Sequence, residues 1–439
     1  MKEKVYGWGK YPVIDAEVFD VTNKSEVISS IKAISEGICY GKGGSYGDSA
    51  LSKNIIRTSS MNLFTKFDEE TGVMSCQAGM TLEEILDVFV PRGWFLPVVP
   101  GTKYITVGGA IASDIHGKNH HIDGTFCDHL ESFTLITANE EEMVCSPTKN
   151  SEVFHATCGG MGLTGVIVEA SIKLRKIKSA YVDECIKKAQ NVDQLIDYFE
   201  EHKDSTYSAA WVDALAKEGS LGRSILMLGE HVTEGEYLDN FDSKKGLNLS
   251  VPIDAPSWTL NPYSIKAFNT AFWTKERKNE SQKIVHYEPF FFPLDGVNNW
   301  NKLYGKGGFT QYQFVIPFEA GREGLKEILA VIANSGKGSF LAVLKAFGEG
   351  NNNYLSFPMA GYTLALDFKL DFEVYELFDR LDAIVNHYGG RIYLAKDVRM
   401  SPQTFRKGYP NLDKFLEIRE KLGAKGSFAS LQSKRLEID

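Results

Sequence analysis

Three glycine-rich segments between Gly41 and Gly165 constrain this chain more than any other feature. The first is Gly41-Lys42-Gly43-Gly44-Ser45-Tyr46-Gly47-Asp48. The second is Pro100-Gly101-Thr102 with Thr106-Val107-Gly108-Gly109-Ala110. The third is Gly159-Gly160-Met161-Gly162-Leu163-Thr164-Gly165. Glycine adopts positive φ and lets main-chain N–H groups approach a ligand closely. Several such groups turned inward make a nest for phosphate oxygens. Thr106 is placed to cap a helix starting at Val107, which would aim a helix N-terminus at an anion. No GK[ST] follows the glycines, and the residue three after Gly43 is Tyr46. No Walker A loop is present, and the first loop lacks the GxGxxG spacing of a nicotinamide site. One segment alone would read as a tight turn. Three together, the second running into GGAIASDIHGKNHH, point to a dinucleotide site of another kind.

The 439 residues, 43% of them hydrophobic, can bury more than one core, so two domains are expected. A net charge of −9 argues against a general nucleic-acid binder. The N-terminal MKEKVYGWGKYPV lacks the apolar stretch of a secretory signal. No apolar run approaches the roughly 18 residues of a membrane span. The expectation is a cytoplasmic protein that can rest against a membrane face. The six cysteines form no CxxC pair and read as buried free thiols.

Asn23 or Ser25 can cap a helix that carries Val27, Ile28 and Ile31 and ends at Gly37. Thr81 followed by Glu84 is a capping-box pattern. The first 180 residues read as an α+β domain rich in glycine turns. From 181 the strand-like YSAAWVDAL, SILMLGEH, QYQFVIP, SFLAVLKAFG and YTLALDF alternate with helical stretches, which suggests a second α+β domain with antiparallel strands. Residues 255–285 read as an irregular surface lid or loop.

His116, His120, His121 and His129 lie close together in sequence. A metal site is one reading. The irregular spacing and Gly117 favour a loop, and no metal is expected. A hydrolase is set aside, because there is no GxSxG and no Cys/His signature.

GWGK, GGSYGD, PVVPGT, TVGGAIASDIHGKNHH, GGMGLTG, QYQFVIP, LKAFG and RIYLAKDVR, in this order and spacing, resemble the decaprenylphosphoryl-β-D-ribose oxidase family. That family belongs to the FAD-binding superfamily of vanillyl-alcohol oxidase and the aldonolactone oxidases. The resemblance spans nearly the whole chain. It implies an α+β, two-domain FAD-binding PCMH-type fold with an antiparallel-sheet substrate domain. Residues 1–180 and 391–439 would form the FAD domain, and 181–390 the substrate domain.

It also implies the site residues. Cys39 to Ser49, that is Tyr40, Gly41, Lys42, Gly43, Gly44, Ser45, Tyr46, Gly47 and Asp48 with their flanks, would cradle the FAD pyrophosphate. Gly101, Thr102, Thr106, Val107, Gly108, Gly109, Asp114, His116, Gly117, Lys118 and Asn119 would line the rest. Ile167 would meet the adenine side, and Tyr393 would return from the tail. Covalent superfamily members carry a histidine just before the serine of the first loop. Gly44 stands there, so the FAD is expected to be non-covalent.

Trp211, Phe291, Gln311, Gln313, Lys345, Phe347, Ala365 and Lys396 match the family's substrate pocket. Ala365 stands where mycobacterial members carry a cysteine. Lys396 is the expected catalytic residue, with Lys345, Gln313 and His116 in support. Alternatively, Lys345 snorkels to water from a strand end, and Lys396 makes a surface ion pair with Asp397. The implied reaction removes hydride from a sugar secondary alcohol, at C2 of a polyprenyl-phosphate ribose. This is the first half of an epimerisation to arabinose, a step toward cell-wall arabinan. An NAD(P)H-dependent ketoreductase would be the partner, and a quinone or oxygen the electron acceptor. The stretch from Trp258 to Lys283, with Trp273, Lys275, Arg277 and Lys278, would suit a lid at a lipid headgroup surface. Two alternatives stay open. One is a soluble alditol or aldonolactone oxidase, and the other a flavin-free sugar-phosphate binding protein.

Overall fold

The computed structural model describes residues 1–242, 249–256 and 259–439. Trp258 lies outside them.

The first 180 residues build two sheets. A four-stranded sheet runs Lys2–Val5, Ile14–Asp20, Asn54–Arg57, Ile38–Tyr40. A five-stranded antiparallel sheet runs Phe64–Asp68, Val73–Gln77, Val166–Lys173, Leu130–Ile136, Glu142–Cys145. Period-two alternation sets their faces, as in Val73–Gln77, where Met74 and Cys76 are buried. The expected caps form. Asn23 accepts from the Glu26 N–H, and both bonds of the Thr81/Glu84 capping box are present. The first helix stops at Ala33, short of Gly37. All six cysteines are free thiols. Cys76, Cys127, Cys145 and Cys158 are buried, and Cys39 and Cys185 are partly exposed.

An eight-stranded sheet, antiparallel throughout its ladders, dominates the rest. Its order is Glu280–His286, Tyr181–Ala189, Ser224–His231, Tyr207–Val212, Ala342–Phe347, Gly361–Lys369, Phe309–Ile316, Arg391–Ile392. The strand residues Phe314, Leu344, Leu364 and Leu366 share a core with Leu325, Ile328 and Leu329 of helix Phe318–Ser335 and Leu381 of helix Phe372–His387. Truncating one of these leucines to alanine costs about 2–5 kcal/mol. The opposite face carries Gln311, Gln313, Thr363, Ala365, Asp367 and Lys345, placed side by side by the ladder register.

The segment expected to be an irregular lid is regular structure. Asn261 caps a 14-residue helix, Pro262–Lys275, and Glu280–His286 is the sheet's edge strand. Phe268 and Phe272, four residues apart and so on one helix face, meet Phe340 and Trp211. The buried Asn269 donates to Asp213 at 2.8 Å. Cap, aromatic pair and buried amide outweigh the irregular look of the sequence. Among the described residues, no helix is long and apolar enough to cross a membrane.

The C-terminal tail packs on the first domain. The buried guanidinium of Arg419 donates to the Leu163, Phe428 and Ile438 carbonyls. The Gly37 N–H bonds to the Ser427 carbonyl.

Candidate active site

The first glycine loop leaves strand Ile38–Tyr40 and is pressed from two sides. A Cβ at Gly41 would sit 2.4 Å from Thr106 Oγ1, and one at Gly47 only 1.8 Å from the Asp397 carbonyl oxygen. Gly43 has φ +66°. Among the described residues, no acceptor meets the N–H groups of Lys42, Gly43, Gly44 and Ser45. Successive free amides in a tight loop fit a pyrophosphate. Gly101, with no heavy atom within 4 Å of an added Cβ, leaves open space beside its turn.

Two expectations need correction here. Thr106 does cap helix Val107–Ala112, but the helix start is not aimed at an anion. The amides of Val107 and Gly108 go to the Met80 and Ala78 carbonyls, and that of Gly109 to Thr106 Oγ1. The first half of the third glycine segment is a turn. Its Gly159, Gly160 and Met161 amides bond to the Ile111, Thr157 and Ala112 carbonyls. The Asp48 side chain is not turned to a phosphate, because its carboxylate is held by Arg435 at 2.8 Å. Asp114 is likewise occupied. It accepts from the Cys127 N–H and from Asn351, Asn353 and Ser356, which fastens the 351–356 loop to the first domain.

Several residues shape the loops instead of presenting a polar group. Asn119 donates to the Pro97 carbonyl. A Cβ at Gly117 would sit 2.8 Å from the Val99 carbonyl oxygen. The Thr102 hydroxyl accepts from the Tyr104 N–H. The Tyr40 hydroxyl donates to the Tyr6 carbonyl. Ile167 lies in the core of the five-stranded sheet. The Tyr393 hydroxyl donates to Ser113 O at 2.9 Å, and its ring stacks on Phe357.

On the sheet face, the Gln313 amide nitrogen lies 3.0 Å from His116 Nε2 and 3.3 Å from Thr363 Oγ1. His116 packs against Phe347, Phe357 and Tyr393, and its Nδ1 has no hydrogen-bond partner among the described residues. Burial, then the Lys345 amine, holds this imidazole well below its usual pKa, so it is neutral. Lys345 stands opposite Thr363 in register. Burial and then the neighbouring charge of Lys118 push its pKa down to about 8. Lys118 donates to the Phe290 carbonyl at 2.5 Å, lies over that ring, and is pushed down to about 8 by burial.

Among the described residues, Lys396 makes no surface ion pair. Asp397 pairs with Arg435, and the Lys396 amine sits 3.8 Å from the centroid of the Tyr46 ring. Burial depresses its pKa, and Asp367 pulls the other way. Ala365 lies between Gln313 and Val343 in the ladder.

Two expected pocket residues go elsewhere. Phe291 packs among Phe95, Tyr207 and Phe290 in an aromatic core, and Phe290 is the residue that meets Lys118. Trp211 shares the sheet face but lies under helix Pro262–Lys275, with Nε1 donating to Phe340 O. The histidines diverge. His120 Nδ1 accepts from the Gly348 N–H, while His121 and His129 bond to the Ser205 and Asp123 carbonyls. The sequence reading missed Asp367, Thr363, Tyr304 and Phe357. Alternation along YTLALDF puts Thr363, Ala365 and Asp367 on one face, but only the register sets them opposite Gln313 and Gln311.

The site thus joins a loop of free amides to a sheet face bearing depressed lysines, a neutral imidazole and paired glutamines. Such amines can hold a hydroxyl or accept its proton.

This geometry sits on a chain that matches the FAD binding domain family over residues 16–146 and the D-arabinono-1,4-lactone oxidase family over 307–436. The protein is an FAD-dependent oxidoreductase of two-domain α+β fold. It is 35% identical over 99% of its length, and 98% of the relative's, to decaprenylphosphoryl-β-D-ribose oxidase of Mycolicibacterium smegmatis. It is 25% identical over 85% of its length, and 83% of the relative's, to L-gulonolactone oxidase of Mus musculus. The chain belongs to the decaprenylphosphoryl-β-D-ribose oxidase family.

Proposed function

We propose that this protein oxidises a secondary alcohol of a lipid-linked pentose phosphate to a ketone, at C2 of a polyprenyl-phosphate ribose. The carrying observation is the convergence of Lys345, Lys118, Lys396 and the Gln313–His116 pair on one sheet face beside the free-amide loop. The name of the relative at 35% identity supplies the sugar and the lipid phosphate. Bound FAD supplies the oxidant, a two-electron acceptor. The protein's part is placement and proton transfer. Gln313 and neutral His116 fix the sugar ring. Lys396, when unprotonated, takes the hydroxyl proton as the carbinol C–H bond breaks, and Lys345 supports negative charge beside it.

A ketoreductase using NAD(P)H would complete the epimerisation, and a quinone or oxygen would take the electrons. The working location is the cytoplasmic face of a membrane. Tyr263, Phe268 and Phe272 are exposed on the covering helix, with Lys266, Lys275, Arg277 and Lys278 close in sequence.

A second reading is an aldonolactone oxidase, favoured by the D-arabinono-1,4-lactone oxidase match over 307–436. Anaerobic reduction of the bound flavin by polyprenyl-phosphate ribose, free pentoses, alditols and aldonolactones tests both. Fast bleaching by the lipid-linked ribose alone is the expected result. Bleaching by lactones alone would replace the first reading with the second.

A further inference from the structure

We infer that Arg435 is a positioning residue for the oxidation, locking the turn that carries Lys396 onto the end of the first glycine loop. The inference deepens the role proposed for Lys396 and rests on it.

The last helix, Leu431–Arg435, lies between two segments that are far apart in the chain. On one side it grips the turn around Lys396. Gln432 Nε2 donates to the Leu394 carbonyl at 2.7 Å, and Arg435 Nη1 donates to the Met400 carbonyl at 2.7 Å. On the other side it grips the end of the glycine loop. Arg435 Nε and Nη2 donate to the two Asp48 carboxylate oxygens at 3.1 and 2.8 Å. The Leu431 N–H donates to the Leu51 carbonyl at 2.7 Å. The same Arg435 Nη2 stands 2.9 Å from Asp397 Oδ2. One guanidinium thus joins Asp48 of the loop to Asp397, the residue next to Lys396. Both acids are 5% exposed, so solvent screens these pairs little.

The two segments also touch directly. The Tyr46 N–H donates to the Ala395 carbonyl at 3.0 Å, and a Cβ at Gly47 would lie 1.8 Å from the Asp397 carbonyl oxygen. Asp397 Oδ1 accepts from the Arg399 and Met400 N–H groups, which folds the turn back on itself. Lys396 sits amid these contacts, with its amine 3.8 Å from the Tyr46 ring centroid. Among the described residues, that amine has no hydrogen-bond or ion-pair partner. Its place is therefore set by the ring and by the backbone of the turn. A lysine arm is flexible, and a misplacement of about 1 Å at a reacting group can cost on the order of 100-fold in rate. Arg435 fixes that backbone against the loop. The loop whose earlier amides are free for a phosphate thereby also seats the amine.

The test compares wild type, Arg435→Gln, Lys396→Ala and the double variant as FAD-loaded enzymes. Anaerobic flavin reduction by polyprenyl-phosphate ribose is followed to saturation. Arg435→Gln should lower the limiting rate by about 10–100-fold and leave the half-saturating concentration within about threefold of wild type. In the Lys396→Ala background the same change should cost less than about threefold, because the group it positions is already gone. Hydrogen–deuterium exchange gives a second readout that does not use activity. Arg435→Gln should speed exchange in peptides covering 42–48 and 393–400 and leave strand Gly361–Lys369 protected. Equal losses in both Lys396 backgrounds, or unchanged exchange at 393–400, would overturn the inference. Arg435→Gln leaves two buried carboxylates without their cation. If it does not retain FAD, Asp48→Leu replaces it. That variant cuts the loop from the turn, keeps Arg435 paired with Asp397, and carries the same expectations. If polyprenyl-phosphate ribose does not reduce wild type, or Lys396→Ala is reduced at the wild-type rate, the proposed substrate or the role of Lys396 as base fails. The exchange pattern still decides whether Arg435 seats the turn.

Discussion

Gln313 and His116 meet across the boundary between the sheet domain and the glycine-rich domain, with 3.0 Å between the amide nitrogen and the imidazole Nε2. With the amide donating, the imidazole proton is assigned to Nδ1, which no protein group meets. This leaves a neutral donor in the site, fixed by residues almost 200 positions apart. Because burial and Lys345 hold the His116 pKa well down, no His116 limb should show in the rate of flavin reduction between about pH 5 and 8. Gln313→Leu should keep FAD and slow reduction by about 10–100-fold. Anaerobic stopped flow across that range measures both, and a histidine-like limb that persists in Lys396→Ala would contradict the assignment.

Lys396→Ala should retain FAD and lose about 10²–10⁴-fold in flavin reduction by substrate. Lys396→Arg should not recover it, because a guanidinium keeps its charge and takes no proton. The rate should rise with pH, since burial depresses the lysine and only the free amine accepts. Recovery by arginine would recast Lys396 as a purely electrostatic group.

FAD should be held without a covalent bond. Gly44 occupies the position before Ser45, and a Cβ there would already lie 2.8 Å from an Ile105 methyl group. Acid precipitation should leave all the yellow colour in the supernatant. A coloured pellet would refute this.

Asp114 gathers four donors from two domains in a site that is fully buried. Asp114→Ala strands Asn351, Asn353 and Ser356 and should destabilise the fold by about 3–5 kcal/mol. Chemical denaturation of the purified variants reads this directly. A loss below about 1 kcal/mol would mean that the clasp contributes little.

Nitroaromatic compounds that the flavin reduces should leave no adduct on strand Gly361–Lys369, because Ala365 offers no thiol. Ala365→Cys places a thiol beside Gln313 in register and should gain the adduct while keeping turnover. Intact-mass and peptide mapping decide it. An adduct on this strand in the unmodified chain would contradict the reading.

Much of the local structure was written in short-range chemistry. The Asn23, Thr81 and Thr106 caps depend on side chains reaching amides two or three residues away, so the sequence suffices to place them. The first glycine loop was legible for the same reason, and the motif order gave the family. Where local pattern misled, a distant acceptor had intervened. The amides of Val107 and Gly108 looked free until the Met80 and Ala78 carbonyls took them, and Arg435, 387 residues away, claimed Asp48.

The sequence by itself therefore determined the caps, the free-amide loop and the alternation that turns Gln311, Gln313, Lys345 and Phe347 to one face. Only the tertiary structure decided which partners that face would meet. Strand register set Asp367 against Gln311, and the returning tail laid Lys396 on the Tyr46 ring. Packing sent Phe291 into the core and made residues 262–275 a helix over Trp211. Local bonds depend on neighbours along the chain. Register, burial and charge coupling depend on neighbours in space, and those exist only once the sheet has closed.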